Sequence, residues 1–98
     1  MKVIVDHVLP KQEAKTRISK LIEELKTEHR DKISDEYENW NGDSADFGFK
    51  VSGMKITGKL IIRDSDVEIN GKLPFLAIPF KSQIENLIRE KAEELLKP

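Results

Sequence analysis

The 98-residue sequence contains 17 Lys and Arg against 18 Asp and Glu, no Cys, and 38% hydrophobic residues. A chain of this length commonly forms one folding unit, so we expect a single domain over residues 1–98. The near-neutral charge balance lacks the basic excess of proteins that bind nucleic acids by neutralising phosphates. The absence of Cys excludes disulfides, thiolate catalysis and thiolate-bound zinc.

No targeting or membrane-spanning segment is recognisable in the sequence. The apolar run Val3–Val5 is far too short for the core of a secretory signal. No later stretch approaches the ~20 apolar residues that span a bilayer. We therefore expect a cytoplasmic protein.

The first predicted elements are a strand and an amphipathic helix. Val3–Val8 is β-branched and apolar enough for a strand. Pro10 suits the first turn of a helix, and apolar residues then recur at spacings of three and four. These residues are Ala14, Ile18, Leu21, Ile22 and Leu25. We expect one helix from about Pro10 to His29 that packs through a single face.

The middle of the sequence predicts an antiparallel β-meander. Asn41-Gly42 separates two strand-like runs and is a strong hairpin signal. Further turns are predicted at Ser52-Gly53 and at Asp64–Asp66. Between the turns, apolar and polar residues alternate with a period of two, which is typical of strands with one buried face and one wet face.

The last segment predicts a second helix. Ser82 and Glu85 fit a capping box at its start. Its apolar stripe consists of Ile84, Leu87, Ile88 and Leu95. The predicted order is β-α-β-β-β-β-α, so we expect an α+β fold: a two-layer sandwich in which an antiparallel β-meander carries two helices on one face.

Residues that could carry chemistry lack the neighbours that known motifs require. Gly53–Leu60 is similar to a phosphate-binding loop, but Leu60 replaces the hydroxyl that binds magnesium, and the segment lies in an alternating strand. His7 and His29 have no metal-binding spacing. We expect His7 to orient the turn after the first strand and His29 to end the first helix. The sequence therefore predicts no catalytic residue, metal or cofactor.

Leu73–Phe80 is the longest stretch without a charge. Its two prolines, Pro74 and Pro79, prevent it from being a central strand or a helix interior. Such a segment is either tucked under the C-terminal helix or exposed for a partner, and closure of the core is the favoured interpretation. If it is exposed, the candidate interaction surface consists of Trp40, Leu73, Phe75, Leu76, Ile78 and Phe80.

Several short segments also carry a family resemblance through their order and spacing. They are His7–Leu9, Glu13-Ala14, Trp40–Asp43 with Phe47, Gly53–Gly58, Leu73–Phe75, Pro79–Lys81 and Ile84-Glu85. Together they resemble the small bacterial polyhydroxyalkanoic acid system family over nearly the whole chain. The resemblance implies a link with polyhydroxyalkanoate synthesis and granules, mainly through genomic neighbourhood. It implies no defined reaction and no catalytic residue.

Three functions are compatible with these features. The first is a non-enzymatic accessory or interaction protein that contacts the granule surface or granule proteins. The second is a small apolar-ligand binder with an acyl-chain pocket between sheet and helices. That pocket would be lined by Phe47, Phe49, Ile56, Leu60 and Leu87. The third, an enzyme acting through His7, is the weakest, because no partner base or nucleophile is apparent.

The polar face of the predicted sheet offers a further partner class. Its basic and polar residues are Lys55, Thr57, Lys59, Arg63 and Lys72. Asp46 and Glu68 are expected on the same face, and no aromatic side chains are interleaved there. Nucleic-acid binding is therefore disfavoured.

Overall fold

Five strands, three α-helices and one 3₁₀ helix make up the structure, a computed structural model that describes residues 1–98. The strands are β1 (Lys2–Asp6), β2 (Ile33–Asn41), β3 (Ser44–Val51), β4 (Met54–Ile62) and β5 (Asp66–Lys72). The α-helices are α1 (Lys11–Ile18), α2 (Leu21–Glu28) and α3 (Lys81–Leu95). The 3₁₀ helix, Phe75–Phe80, connects β5 to α3.

All five strands belong to one antiparallel sheet with the order β1-β5-β4-β3-β2. Strands β2 to β5 form a meander, and β1 completes the sheet by pairing with β5, with Val3 opposite Ile69. Helix α2 packs on the β2 side and α3 on the β1 side. The predicted α+β fold, an antiparallel sheet with helices on one face, is confirmed.

The core lies between the helices and the apolar face of the sheet, which is formed by alternate residues of the strands. The sheet contributes Val3, Val5, Ile33, Ala45, Phe47, Phe49, Ile56, Leu60, Ile62, Val67 and Ile69. The helices contribute Ala14, Ile18, Leu21, Ile22, Leu25, Ile84, Ile88 and Ala92. Full burial of one large aliphatic or aromatic side chain contributes about 1.5–3 kcal/mol, so this shared interior drives the packing of the two layers.

The predicted helix over Pro10–His29 is divided into α1 and α2 by a turn. The Ser19 hydroxyl donates a hydrogen bond to the Thr16 carbonyl at 2.7 Å. The Lys20 amide donates to the Arg17 carbonyl at 3.2 Å, a three-residue spacing that tightens the chain. The prediction of one continuous helix was therefore wrong. The apolar spacing continues across the turn, so it does not reveal that Ser19 and Lys20 form bonds other than those of an α-helix.

All three predicted turns join neighbouring antiparallel strands, and the first two differ in type. Ser52 and Gly53 have φ values of 50° and 81°, the two positive angles that a type I′ turn requires. In the first hairpin Asn41 pairs with Ser44, so the turn centre is Gly42-Asp43 and not the predicted Asn41-Gly42. Only Gly42 has a positive φ there, 65°, which is typical of a type II′ turn.

Two element boundaries differ from the predicted ones. Strand β1 ends at Asp6, two residues before the predicted end at Val8. Helix α3 begins at Lys81, and Ser82 does not act as its cap. The predicted capping box was wrong because the 3₁₀ helix runs directly into α3, and the Lys81 amide donates to the Ile78 carbonyl instead.

Candidate functional site

The 3₁₀ helix carries the most exposed large apolar side chains that lie together on the molecule. Phe75 is 85% exposed, Leu76 73%, Ile78 55% and Phe80 46%. We call these four side chains the apolar patch. Only Ala77 of this helix is buried. The favoured interpretation of Leu73–Phe80 as a segment that closes the core was therefore wrong, although Leu73 packs partly against the core.

The geometry of a short 3₁₀ helix explains why the patch is exposed. Pro74 is extended, with φ −65° and ψ 159°, and its carbonyl accepts the Ala77 amide at 2.9 Å. With three residues per turn, Phe75 and Ile78 project in the same direction. Ala77 is the one residue of these two turns that reaches the core, and its bulky neighbours are directed away from it.

An open groove of about 360 Å³ lies beside the apolar patch. It is formed by the α2–β2 connection, the β3–β4 turn and the start of α3. Its apolar lining consists of Ile33, Val51, Met54, Phe80, Ile84 and Leu87. Its polar lining consists of His29, Lys32, Ser52 and Gln83, with no carboxylate. Phe80 belongs to both the groove and the patch, so the two surfaces adjoin at this side chain, and the other three patch residues lie outside the groove.

The acyl-chain pocket predicted between the sheet and the helices is filled by side chains of the core. Phe47 and Phe49 are buried with their ring centroids 6.1 Å apart, and Ile56 and Leu60 are fully buried. Leu87 is the one predicted pocket residue that lines the groove. The groove therefore lies at the surface, at a place that the apolar pattern of the strands did not indicate.

Trp40 does not join the apolar patch, because it lies at the opposite end of β2 from Ile33. Trp40 is seven positions along the strand from Ile33, a distance of roughly 20 Å. The Trp40 indole N–H donates to Glu38 Oε1 at 2.6 Å, and the Lys15 ammonium lies 5.3 Å from the ring centre. Trp40 therefore makes local contacts beneath α1, and its inclusion in the candidate interaction surface is corrected.

A β-bulge in β2 explains why Trp40 and Glu38 face the helices. The pairing register shifts between Ser34 and Tyr37, and Asp35 has a φ of 53°. Burial raises the pKa of Glu38, and the hydrogen bond from Trp40 partly opposes this shift. The bulge was not predicted, because Asp at a positive φ has no signature in the alternation of apolar residues.

His7 connects two turns of the backbone, as predicted for the turn after the first strand. The Leu9 amide donates to His7 Nδ1 at 3.1 Å. His7 Nε2 lies 3.1 Å from the Arg63 carbonyl oxygen, and a proton on Nε2 satisfies both contacts. The ring is buried and both of its nitrogens are bonded to backbone groups.

The polar face of the sheet carries paired charges. Lys59 lies 3.8 Å from Asp46, and both Lys2 and Arg63 contact Glu68, at 3.9 Å and 2.6 Å. The Arg63 guanidinium holds the pKa of the Glu68 carboxyl below its usual range. The basic residues predicted on this face thus share it with carboxylates. No group of three or more metal-binding side chains converges anywhere in the structure.

A family comparison covers almost the whole chain. Residues 1–96 match the model of the family described as "Putative polyhydroxyalkanoic acid system protein". No curated protein and no solved structure gives a significant match. No helix combines the length and the apolar composition needed to cross a bilayer. The family match over residues 1–96 confirms the resemblance inferred from the short sequence segments.

Proposed function

Because the chain belongs to the polyhydroxyalkanoic acid system protein family, we propose that it is a non-enzymatic accessory protein that docks on the apolar surface of cytoplasmic polyhydroxyalkanoate granules. The observation that carries this proposal is the apolar patch. Large apolar side chains exposed side by side mark interaction surfaces on small domains. Membership of the family suggests the polymer granule as the partner surface, and the exposed apolar patch is the part of the protein that would contact it.

The energy available to the patch suits adsorption. Burial of one large apolar side chain contributes about 1.5–3 kcal/mol. Phe75 and Leu76, the two most exposed members, would together contribute about 3–6 kcal/mol before the cost of immobilising the protein is subtracted. Ile78 and Phe80, which are about half exposed, add to this value.

The charges around the patch also suit an interface between an apolar phase and water. Lys72 precedes the uncharged segment Leu73–Phe80, and Lys81 follows it. Long lysine stems can lie along an apolar surface while their ammonium groups remain in water. Lys81 is held 3.9 Å from Glu85, on the first turn of α3. The patch is therefore framed by groups that stay solvated during adsorption.

The bonding of His7 supports a non-enzymatic role. Both ring nitrogens are engaged by backbone groups, and no carboxylate or hydroxyl bonds to either of them. A general acid–base residue needs a nitrogen within reach of a substrate proton. His7 instead holds two turns together.

Co-sedimentation with isolated polyhydroxyalkanoate granules tests the docking contact. We expect the unaltered protein to sediment with granules and the Phe75→Ser/Leu76→Ser variant to stay in the supernatant, because the variant loses the largest apolar contribution of the patch. Both side chains are exposed, so the variant is expected to fold. Circular dichroism of the variant checks this.

Val8→Ser provides the matched control. Val8 is 82% exposed and lies near the C-terminal end of α3, beside Leu96. The patch adjoins the other end of this 15-residue helix, about 20 Å away. We expect Val8→Ser to sediment like the unaltered protein. Equal sedimentation of the double variant, or none of the unaltered protein, would refute docking through the patch.

A further inference from the structure

We infer that the groove beside the patch is a binding site for a single carboxylate-ended acyl chain, such as a medium-chain fatty acid. This site is separate from the granule contact, although Phe80 borders both. The inference rests on two observations: an apolar floor that remains open to solvent, and a rim that carries a cation without a carboxylate partner.

The floor combines rigid and adaptable side chains from separate elements. Ile33 of β2 and Ile84 of α3 are buried and form its base, while Val51, Met54 and Leu87 are partly buried around it. Its volume of about 360 Å³ falls within the range of small-molecule sites, roughly 300–1,000 Å³. Met54 is unbranched and can adjust to chains of different shape.

The rim of the groove determines the charge of the ligand. Lys32 and His29 line it, and neither forms an ion pair within the chain. Asp35, three residues along the chain from Lys32, is paired with Lys50 at 3.2 Å. Because the groove lining contains no carboxylate and Lys32 is in no ion pair of the chain, an anionic head group at the rim meets an available cation. A ligand with an apolar chain and a carboxylate end can pack its chain on the apolar floor and place its carboxylate at Lys32.

Methyl NMR with matched small probes tests this assignment. The probes are octanoate below its micelle concentration, octyltrimethylammonium with a similar tail and the opposite charge, and acetate as the head group alone. We expect octanoate to shift the methyl signals of Ile33, Val51, Ile84 and Leu87. Acetate should shift none of them, and the cationic probe should bind about tenfold more weakly because its charge is repelled by Lys32.

Charge reversal at the rim tests the role of Lys32. We expect Lys32→Glu to weaken octanoate binding about tenfold and to improve binding of the cationic probe. Lys97→Glu is the control, because Lys97 is exposed beyond the far end of α3. Its octanoate affinity should equal that of the unaltered protein. The methyl spectrum of each free variant verifies its fold.

Three outcomes would overturn the inference: no shift with octanoate, shifts confined to methyls outside the groove, or unchanged affinity in Lys32→Glu. The Phe75→Ser/Leu76→Ser variant separates this inference from the proposed docking function. It should lose granule binding and keep octanoate binding. A Lys32→Glu variant that still sediments with granules but no longer binds octanoate would confirm that the two sites act separately.

Discussion

Gly58, in the middle of β4, lies where the sheet leaves no space for a side chain. It pairs with Phe47 on one side and with Gly71 on the other. A Cβ at this position would overlap the Asn70 carbonyl oxygen and lie 2.8 Å from Phe47 Cζ. A glycine is required here because the Phe47 ring and the neighbouring strand occupy the volume that a Cβ would need.

At the residue scale, we predict that Gly58→Ala lowers the free energy of unfolding by about 3 kcal/mol, because overpacking of a tight site forces the backbone to shift. Urea denaturation measures the effect. Gly42→Ala is the matched control, because Gly42 has open space around it and only its φ of 65° is unfavourable for Ala. The control should cost about 1 kcal/mol. Equal costs would contradict the steric explanation.

At the element scale, the 3₁₀ helix has one side that is buried in the core and one side that is exposed to solvent. Ala77 is fully buried, whereas Phe75 and Leu76 are the most exposed members of the patch. The helix is therefore anchored by one small residue. Its large side chains contribute little to the stability of the free protein, which leaves them available for a partner.

We predict that Phe75→Ser/Leu76→Ser changes the free energy of unfolding by less than about 0.5 kcal/mol, because exposed side chains lose few contacts. Ala77→Leu should lower it by about 1–3 kcal/mol, because the added atoms enter a filled core. Denaturant unfolding of both variants measures the contrast. A large loss of stability in the double Ser variant would show that the patch packs against the domain.

At the scale of the whole molecule, Lys91 links α2 to α3. Its ammonium contacts Glu28 of α2 and, at 3.2 Å, Glu94 of α3, and its side chain is almost completely buried. The hydrogen bond with Glu28 raises the pKa of Lys91, burial opposes this shift, and Glu94 adds to it. The pairing therefore holds the two helices that frame the core and the groove.

The raised pKa predicts a loss of stability at alkaline pH. The contribution of Lys91 is fully present below the unfolded-state pKa of 10.5 and disappears as the pH rises through the higher folded-state pKa. We expect Lys91→Met to have near-normal stability at pH 7, because an apolar side chain of similar size can replace a buried ion pair. Its stability should fall less steeply than that of the unaltered protein above pH 10.5.

Denaturant unfolding across this pH range measures the difference between the two slopes. The exposed Lys97→Met variant should follow the unaltered protein. If Lys91→Met shows the same alkaline loss as the unaltered protein, the Lys91 contacts with Glu28 and Glu94 do not produce it.

Much of the fold follows from local patterns in the sequence. The period of two in Ala45–Val51 and Met54–Ile62, with turn residues between the runs, predicted the meander, because each such strand has one apolar face for a covering layer to bury. Ser52-Gly53 predicted its turn correctly. The break at Ser19 and the bulge at Asp35 escaped prediction, because each depends on a few backbone bonds that leave the apolar period on either side unchanged.

The sequence by itself determined the α+β class and the family, and it singled out Leu73–Phe80 as an uncharged segment that follows neither period. Strand period, segment order and proline position are properties of the chain alone. Only the tertiary structure decided that Phe75, Leu76, Ile78 and Phe80 are exposed. It also placed the groove at Leu87 and separated Trp40 from the patch. These outcomes depend on which surfaces meet in space. The sheet and the α-helices fill the core, so Ala77 is the one residue of the 3₁₀ helix that is buried in it.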